Sequence, residues 1–355
     1  MGAGPYRLTR SEPGASMDGE AFAGHVLGRA KIDHIRLQFM NDSNAVVAAL
    51  LAGTAHVAAN DSLDLEQAIV LERRWAGDGG GVVLRSPVGV RHSNPQLRPE
   101  YASPQALLDL RVRKALAHAT DRAALADTLT EGQGTAADTL ILPQVEYFEA
   151  IKRVATTYPY DVRRAEQLMN EVGWTREADG FYTHPASGRF TFELAVAAGG
   201  RNDSEVAIMA DGLRRGGFDA TIRVIPRAQI TDRQARAALP GILNGSHQRA
   251  FVPPVDRLRA SQIPTVENRW QGSNQSGWSH PEFERLVQAY ETSLEREQRN
   301  QFAVGMLKLA SEELPVIPLY YNLSFVGYVS DVSGPMVAVS DDVAYWNLPE
   351  WSWVR

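Results

Sequence analysis

The residues best equipped for chemistry lie in Asn268-Arg269-Trp270-Gln271-Gly272-Ser273-Asn274, with Trp278 shortly after. An arginine fork pairs with a carboxylate, indole faces stack on flat or cationic groups, and the amides of Asn268 and Asn274 both donate and accept. This is the chemistry of non-covalent capture. Elsewhere the chain shows no catalytic pattern. It has no cysteine, which removes disulfides, thiolate metal sites and cysteine nucleophiles. Its eight histidines lack metal-ligand spacing. No nucleophile elbow G-x-S-x-G is present. The glycines of residues 77–81, GDGGG, have neither the spacing nor the following Lys-Ser of a phosphate loop and read as a turn. The reading therefore includes no metal and no cofactor, and an enzyme would need a site assembled only by the fold.

The bulk properties suit a soluble protein with room for two domains: 355 residues, 44% hydrophobic and 22% charged. A formal charge of −6 without a basic stripe argues against nucleic acid or an anionic membrane as partner. No apolar run reaches the ~20 residues of a membrane helix, and the first residues lack the profile of a signal peptide.

These residues must be positioned by helices and strands that are well marked. In residues 109–125, DLRVRKALAHATDRAAL, Leu108, Val112, Ala115 and Ala119 form an apolar stripe, with Arg111, Arg113 and Lys114 on the other face. Asp121 caps a second helix, which Gly132 closes. Residues 161–172 form a further helix between Asp161 and Gly173, and residues 42–53 another, from Asp42 to Gly53. Ser279 and Glu282 read as a capping box for a helix after Pro281. Residues 11–19 read as a loop, residues 57–59 as a short strand, and residues 82–84 as a strand followed by an exposed connection, VGVRHSNP. Residues 32–39, IDHIRLQF, alternate as a half-buried strand does. Helix and strand alternate between residues 161 and 225, which argues for an α/β lobe. Residues 240–277 are irregular, as functional segments are.

The order of motifs resembles one family. Asp109, Arg111, Val112, Arg113, Ala115, Leu116, Ala119, Asp121 and Arg122 are similar to the D-x-R-V-R-x-A-L-x-x-A-x-D-R signature of the family 5 extracytoplasmic solute-binding proteins, receptors of peptide, nickel and oligosaccharide ABC importers. Gly4-Pro5-Tyr6, residues 42–53 and Gly277-Trp278-Ser279-His280-Pro281-Glu282 resemble further motifs of it in matching order.

The resemblance implies an α/β, two-lobed periplasmic-binding-protein-like architecture (type II, cluster C), with residues 1–108 in a partial first lobe, 109–323 in a second α/β lobe and 324–355 returning to the first. It implies a solute, most often a peptide, held in the cleft between lobes without catalysis, and ABC permease subunits as partners. Because residues 88–95 border the cleft in the family, Arg91, His92 and Asn94 join Asn268, Arg269, Trp270, Asn274 and Trp278 as expected ligand-binding residues. The family is periplasmic or cell-surface. The early position of Gly4-Pro5-Tyr6 leads to the expectation of an incomplete first lobe that self-associates. The alternatives are an α/β hydrolase or transferase and a stand-alone interaction module.

Overall fold

Alternation of apolar and polar residues draws the first strands. In the computed structural model, which describes residues 4–58, 62–199, 201–247, 255–336 and 345–354, β1 (Tyr6–Glu12), β2 (Ser16–Ala21) and β3 (His34–Gln38) form an antiparallel sheet with β2 in the middle. β2 corrects the reading of residues 11–19 as a loop. The turn formers there are confined to a tight hairpin, with Gly14 at φ 75° and the Ala15 amide on the Glu12 carbonyl, and the chain pairs again at once.

Asp42 caps α1 (Ser43–Leu51) by accepting the Asn44 amide. β4 (Val57–Ala58) follows; residue 59 of the expected strand lies outside the described residues. Then comes α2 (Leu65–Asp78), stopped by Gly79 at φ 70°. Val46 and Leu50 of α1 pack on Ala68, Leu71 and Trp75 of α2 and on Phe325.

β5 (Gly81–Pro95) is one strand of 15 residues, not a short strand followed by an exposed connection. The chain divides along it into two compact units, Met1–Val88 with Leu323–Arg355, and Gly89–Asn322. The division puts residues 89–108 with the second unit, where Val90 and Leu107 are fully buried.

The second unit alternates helices and strands. It runs through α3 (Leu110–Ala119), α4 (Arg122–Leu129), α5 (Phe148–Val154), α6 (Val162–Asn170), the small strands β6 (Thr175–Arg176), β7 (Tyr182–His184) and β8 (Gly188–Arg189), and β9 (Thr191–Ala197). It continues through α7 (Arg201–Arg215), β10 (Asp219–Ile225), α8 (Arg227–Ile230), α9 (Arg233–Ala237), β11 (Ile242–His247), α10 (Val255–Leu258), α11 (Pro281–Thr292), α12 (Arg296–Glu313) and β12 (Ile317–Val329). Its sheet has the order β10-β9-β11-β5-β12. β9 and β10 are parallel and joined by α7, whereas β11 runs antiparallel to β5 with Gly245 opposite His92. Phe192, Leu194, Val196 and Leu319 join one apolar cluster with α3, α4, α6 and α7, and Val90 and Tyr321 join another with α5, α11 and α12. Strands covered on both faces are apolar on both. In the first unit, β4 pairs with the end of β12, and β13 (Val332–Ser333) pairs with β14 (Ser352–Trp353). Residues 341–344 of the C-terminal segment lie outside the described residues.

Two arginines depart from the simple amphipathic picture. Arg113, expected on the outer face of α3, turns inward and donates to the carbonyls of Leu107, Leu108 and Glu313. Arg122 donates to the carbonyls of Ala137 and Tyr158 and pairs with Asp138 at 3.0 Å.

Close strand approach makes Gly241 irreplaceable: a Cβ there would come 2.1 Å from the Glu193 carbonyl oxygen. Gly241→Ala should destabilise by about 1–3 kcal/mol, as overpacking does. Gly212→Ala, in α7 with open space around it, should stabilise by about 0.5–1 kcal/mol. Urea melts of the two variants that coincide would contradict this account of the β9–β11 junction.

Candidate ligand site

β5 carries three of the expected residues, and the structure gives each a partner inside the second unit. The Arg91 guanidinium forks onto Glu205 of α7, Nε to Oε2 at 2.8 Å and Nη2 to Oε1 at 2.6 Å. Glu205 is wholly buried and also accepts from the Tyr320 hydroxyl of β12 at 2.7 Å and from Asn244 Nδ2 of β11 at 3.0 Å. Ser93 Oγ donates to Asn244 Oδ1 at 2.7 Å. Burial works against the Arg91 charge, but the Glu205 carboxylate overcomes it and raises the Arg91 pKa. Burial, reinforced by the Glu205 charge, raises the Tyr320 pKa and keeps the phenol a donor.

His92 is buried too, with Nδ1 3.1 Å from the Val90 carbonyl. Burial pushes its pKa down to about 3, the Arg91 and Arg257 charges adding to the shift against the opposing bond to Val90. Asn94 is half-buried and donates to the Leu243 carbonyl at 3.0 Å.

The other five residues lie in the segment before α11. Asn274 is a buried hub: Nδ2 donates to the carbonyls of Arg259 and Trp278, and Oδ1 accepts from Ser276 Oγ and the Gly277 amide. Trp278 faces inward, edge-on to Phe283 with ring centroids 5.1 Å apart. Asn268 closes a turn, accepting the Thr265 amide at 2.9 Å and donating to the Ile263 carbonyl at 2.7 Å. Of the five, Arg269 alone is exposed, while Trp270 is half-buried like Asn268; Arg269 and Trp270 have φ 56° and 59°. Two successive left-handed non-glycine residues cost of order 1–3 kcal/mol each and are held where the surroundings dictate them. Here the Trp270 amide is fixed on the Thr265 carbonyl at 2.7 Å. Gly272 passes so close to residue 262 that a Cβ would meet the Gln262 carbonyl oxygen at 2.1 Å.

Residues 96–98 tie this loop to the continuation of β5. The Leu97 amide donates to the Ser276 carbonyl, and Arg98 reaches the carbonyls of Pro264 and Ala237 and Gln96 Oε1. Two enclosed spaces, one in each unit, lie elsewhere. A cavity of about 20 Å³ beside Tyr158 and Leu307 has room for one water, and a groove of about 410 Å³ in the first unit runs between Leu50, His56, Trp75 and Ser330. Neither is lined by any of the eight residues. Among the described residues no group of three histidines and carboxylates could hold a metal ion.

Residues 1–259 match the family described as bacterial extracellular solute-binding proteins, family 5 Middle. The chain belongs to this family. The oligopeptide-binding protein AppA of Bacillus subtilis is 21% identical over 367 residues, covering 99% of this chain and 62% of the relative. Heme-binding protein A of Haemophilus influenzae is 23% identical over 346 residues, covering 94% and 57%. Among solved structures, NikA from Brucella suis in complex with Fe(III)-EDTA superposes with a TM-score of 0.77 at 18% identity, covering 99% of this chain and 68% of that one. The chain thus spans about three-fifths of the length of these curated relatives and shares the fold of the solved one. The α/β fold and the family expected from the sequence are both found.

Sequence reasoning missed Glu205, Asn244, Tyr320 and Arg98. One signal was available: Glu205, Met209 and Leu213 recur at i, i+4, i+8, which puts a carboxylate on the buried stripe of α7. Glu205→Gln should cost about 3–5 kcal/mol by leaving Arg91 buried without its anion, whereas Arg91→Met with Glu205→Leu should cost less than either single change. Additive losses in a double-mutant cycle would contradict a coupled pair.

His92 sets a pH dependence. Its folded pKa of about 3 lies below the ordinary 6.5, so its contribution to stability is complete above about pH 6.5 and is lost as pH falls toward 3. Urea midpoints between pH 7 and 4 should fall less steeply in His92→Asn than in the parent, and parallel slopes would contradict the assignment.

Proposed function

We propose that the chain is the solute-binding component of an ABC importer and holds a peptide without catalysing any reaction. The observation that carries the reading is the braced corner at Arg269 and Trp270, which offers a guanidinium for a carboxylate and an indole for a side chain or peptide plane. Membership of the family supports capture over chemistry. The choice of peptide follows the oligopeptide-binding relative, which aligns with almost the whole chain. In this reading the protein works outside the cytoplasm and delivers its ligand to the importer's permease subunits. Asn94, with its half-buried amide, is the β5 residue best placed to assist. Arg91, His92, Asn274 and Trp278 act on the site through the scaffold that they hold.

Calorimetric titration with short peptides of varied C-terminal charge tests this reading, with recovery of the peptide afterwards. Saturable binding with the peptide recovered intact is the expected result; turnover of the peptide would move the chain to the enzymes. Trp270→Asn keeps a residue that tolerates left-handed backbone and should weaken binding by about 1–3 kcal/mol with little change in melting temperature, as loss of a partly exposed anchor does. If its main effect were a loss of about 3–5 kcal/mol of stability, Trp270 would be a core residue and not a ligand contact.

A further inference from the structure

Helix α11 opens on Pro281, which has no amide hydrogen, so its first backbone donor in want of an acceptor belongs to Glu282. The acceptor is a histidine. His280 stands at the N-cap with extended backbone, φ −144° and ψ 124°, and its Nδ1 takes the Glu282 amide at 3.2 Å. Because that amide donates, Nδ1 must carry a free lone pair, which only the neutral ring with its hydrogen on Nε2 provides. The other side-chain caps among the described helices are aspartates: Asp42, Asp109, Asp121, Asp161 and Asp232. A carboxyl group keeps an acceptor oxygen whether or not it is protonated, whereas an imidazolium has none. The α11 cap is therefore the one among them that a proton can abolish.

The groups around His280 join this cap to the candidate loop. The Trp278 ring is stacked on the imidazole, centroids 5.7 Å apart and planes 21° from parallel, and meets Phe283 of α11 edge-on. The Trp278 carbonyl accepts from Asn274 Nδ2 at 2.8 Å, so the hub of the loop and the cap of the helix are fastened to the same residue. Residues 271–279 contain no ionisable side chain. On α11, Glu282 lies beside His280; its pKa is held down first by the Arg285 fork, and the His280 charge adds to the effect. Glu284 accepts the Ala260 amide, and Arg259 pairs with Glu291. On α12, where Gly305 faces Leu286, Lys308 pairs with Glu312.

We propose that His280 is a proton-operated cap of α11. On protonation Nδ1 gains a hydrogen and changes from acceptor to donor, so the Glu282 amide is released. The partial positive charge of the helix start repels the imidazolium, while the Glu282 carboxylate attracts it and competes with Arg285 for the same oxygens. The ring thus exchanges a backbone partner for a side-chain one, and the joint that fastens Trp278 and the Asn274 hub to α11 loosens as pH falls.

Nitrogen-15 NMR of the 355-residue chain tests this between about pH 8 and about pH 5, the range in which histidine charge changes. It follows the His280 ring nitrogens and the solvent exchange of the Glu282 amide together. Exchange is corrected for its intrinsic pH dependence and referred to the Ala124 amide, which Asp121 caps. At the upper end the ring should carry its hydrogen on Nε2. As the ring takes up its second proton, protection of the Glu282 amide should fall about fivefold, as loss of an N-cap implies. His280→Asn caps without titrating and should keep the protection at both ends of the range, whereas His280→Ala should lack it at both. Four results would each overturn the proposal: a hydrogen on Nδ1 at about pH 8, a ring still neutral at about pH 5, protection that is unchanged as the ring charges, or the same loss in His280→Asn.

Discussion

A carboxylate with no access to water governs the second unit. Glu205 lies on the apolar stripe of α7, and removing an ionised carboxylate from water costs several kcal/mol unless its oxygens are matched. They are matched from three directions: the Arg91 fork, the Tyr320 hydroxyl and the Asn244 amide. These groups come from β5, β12 and β11, so a one-residue slip of any of these strands would turn its donor to the opposite face and leave the charge unmet. The net stabilisation from such a network is small, because desolvation offsets most of the attraction. Its larger effect is on uniqueness: it penalises every register but one, in a sheet whose apolar residues alone would tolerate several.

The same logic explains the other inward-turned arginines. Arg98 and Arg113 have backbone carbonyls as their main acceptors, and burial lowers the pKa of both. A guanidinium suits this role because its planar fork satisfies several carbonyls at once, including those left open where helices end. Arg98 thus gathers Ala237 at the end of α9 and Pro264 at the start of the ligand-candidate loop onto the continuation of β5. Its neighbour in space, Gly277, has φ 74°, and a Cβ there would lie 2.4 Å from the Arg98 Cγ. The loop and the sheet are therefore fitted to each other around one side chain.

Local chemistry was readable from the sequence wherever the determining partner is close along the chain. Asp42, Asp121 and Asp161 each accept an amide two or three residues on, and Gly53 and Gly173 take the left-handed conformation expected at helix ends. The predicted capping box before α11 is a near miss: His280, one residue later than Ser279, accepts the Glu282 amide through Nδ1. What could not be read depends on distant partners. Arg91 to Asn94 look like a solvated connection because four successive polar residues have no apolar period. Arg91 is drawn inside by a carboxylate 114 positions away and Ser93 by an amide 151 positions away. Trp278 and Asn274 have the composition of a binding loop, yet Phe283 and the Arg259 carbonyl occupy them. Composition identifies a segment able to bind; only the fold decides which of its side chains are left outward.

The exposed residue of that segment and its half-buried neighbour are the two with the least favourable backbone, and the arrangement explains why. A loop that places side chains by ordinary turns leaves them free to sample other φ values. Arg269 and Trp270 instead sit in successive left-handed conformations imposed by the Asn268 turn on one side and the close passage of Gly272 on the other. The energy of holding them there comes from the satisfied polar groups around Asn274, which take no part in presenting the side chains. For the proposed function, a backbone fixed in this way has less freedom to lose on engagement, while the side-chain rotamers still have theirs. The buried polar residues of the loop thus fix the backbone from which Arg269 and Trp270 project.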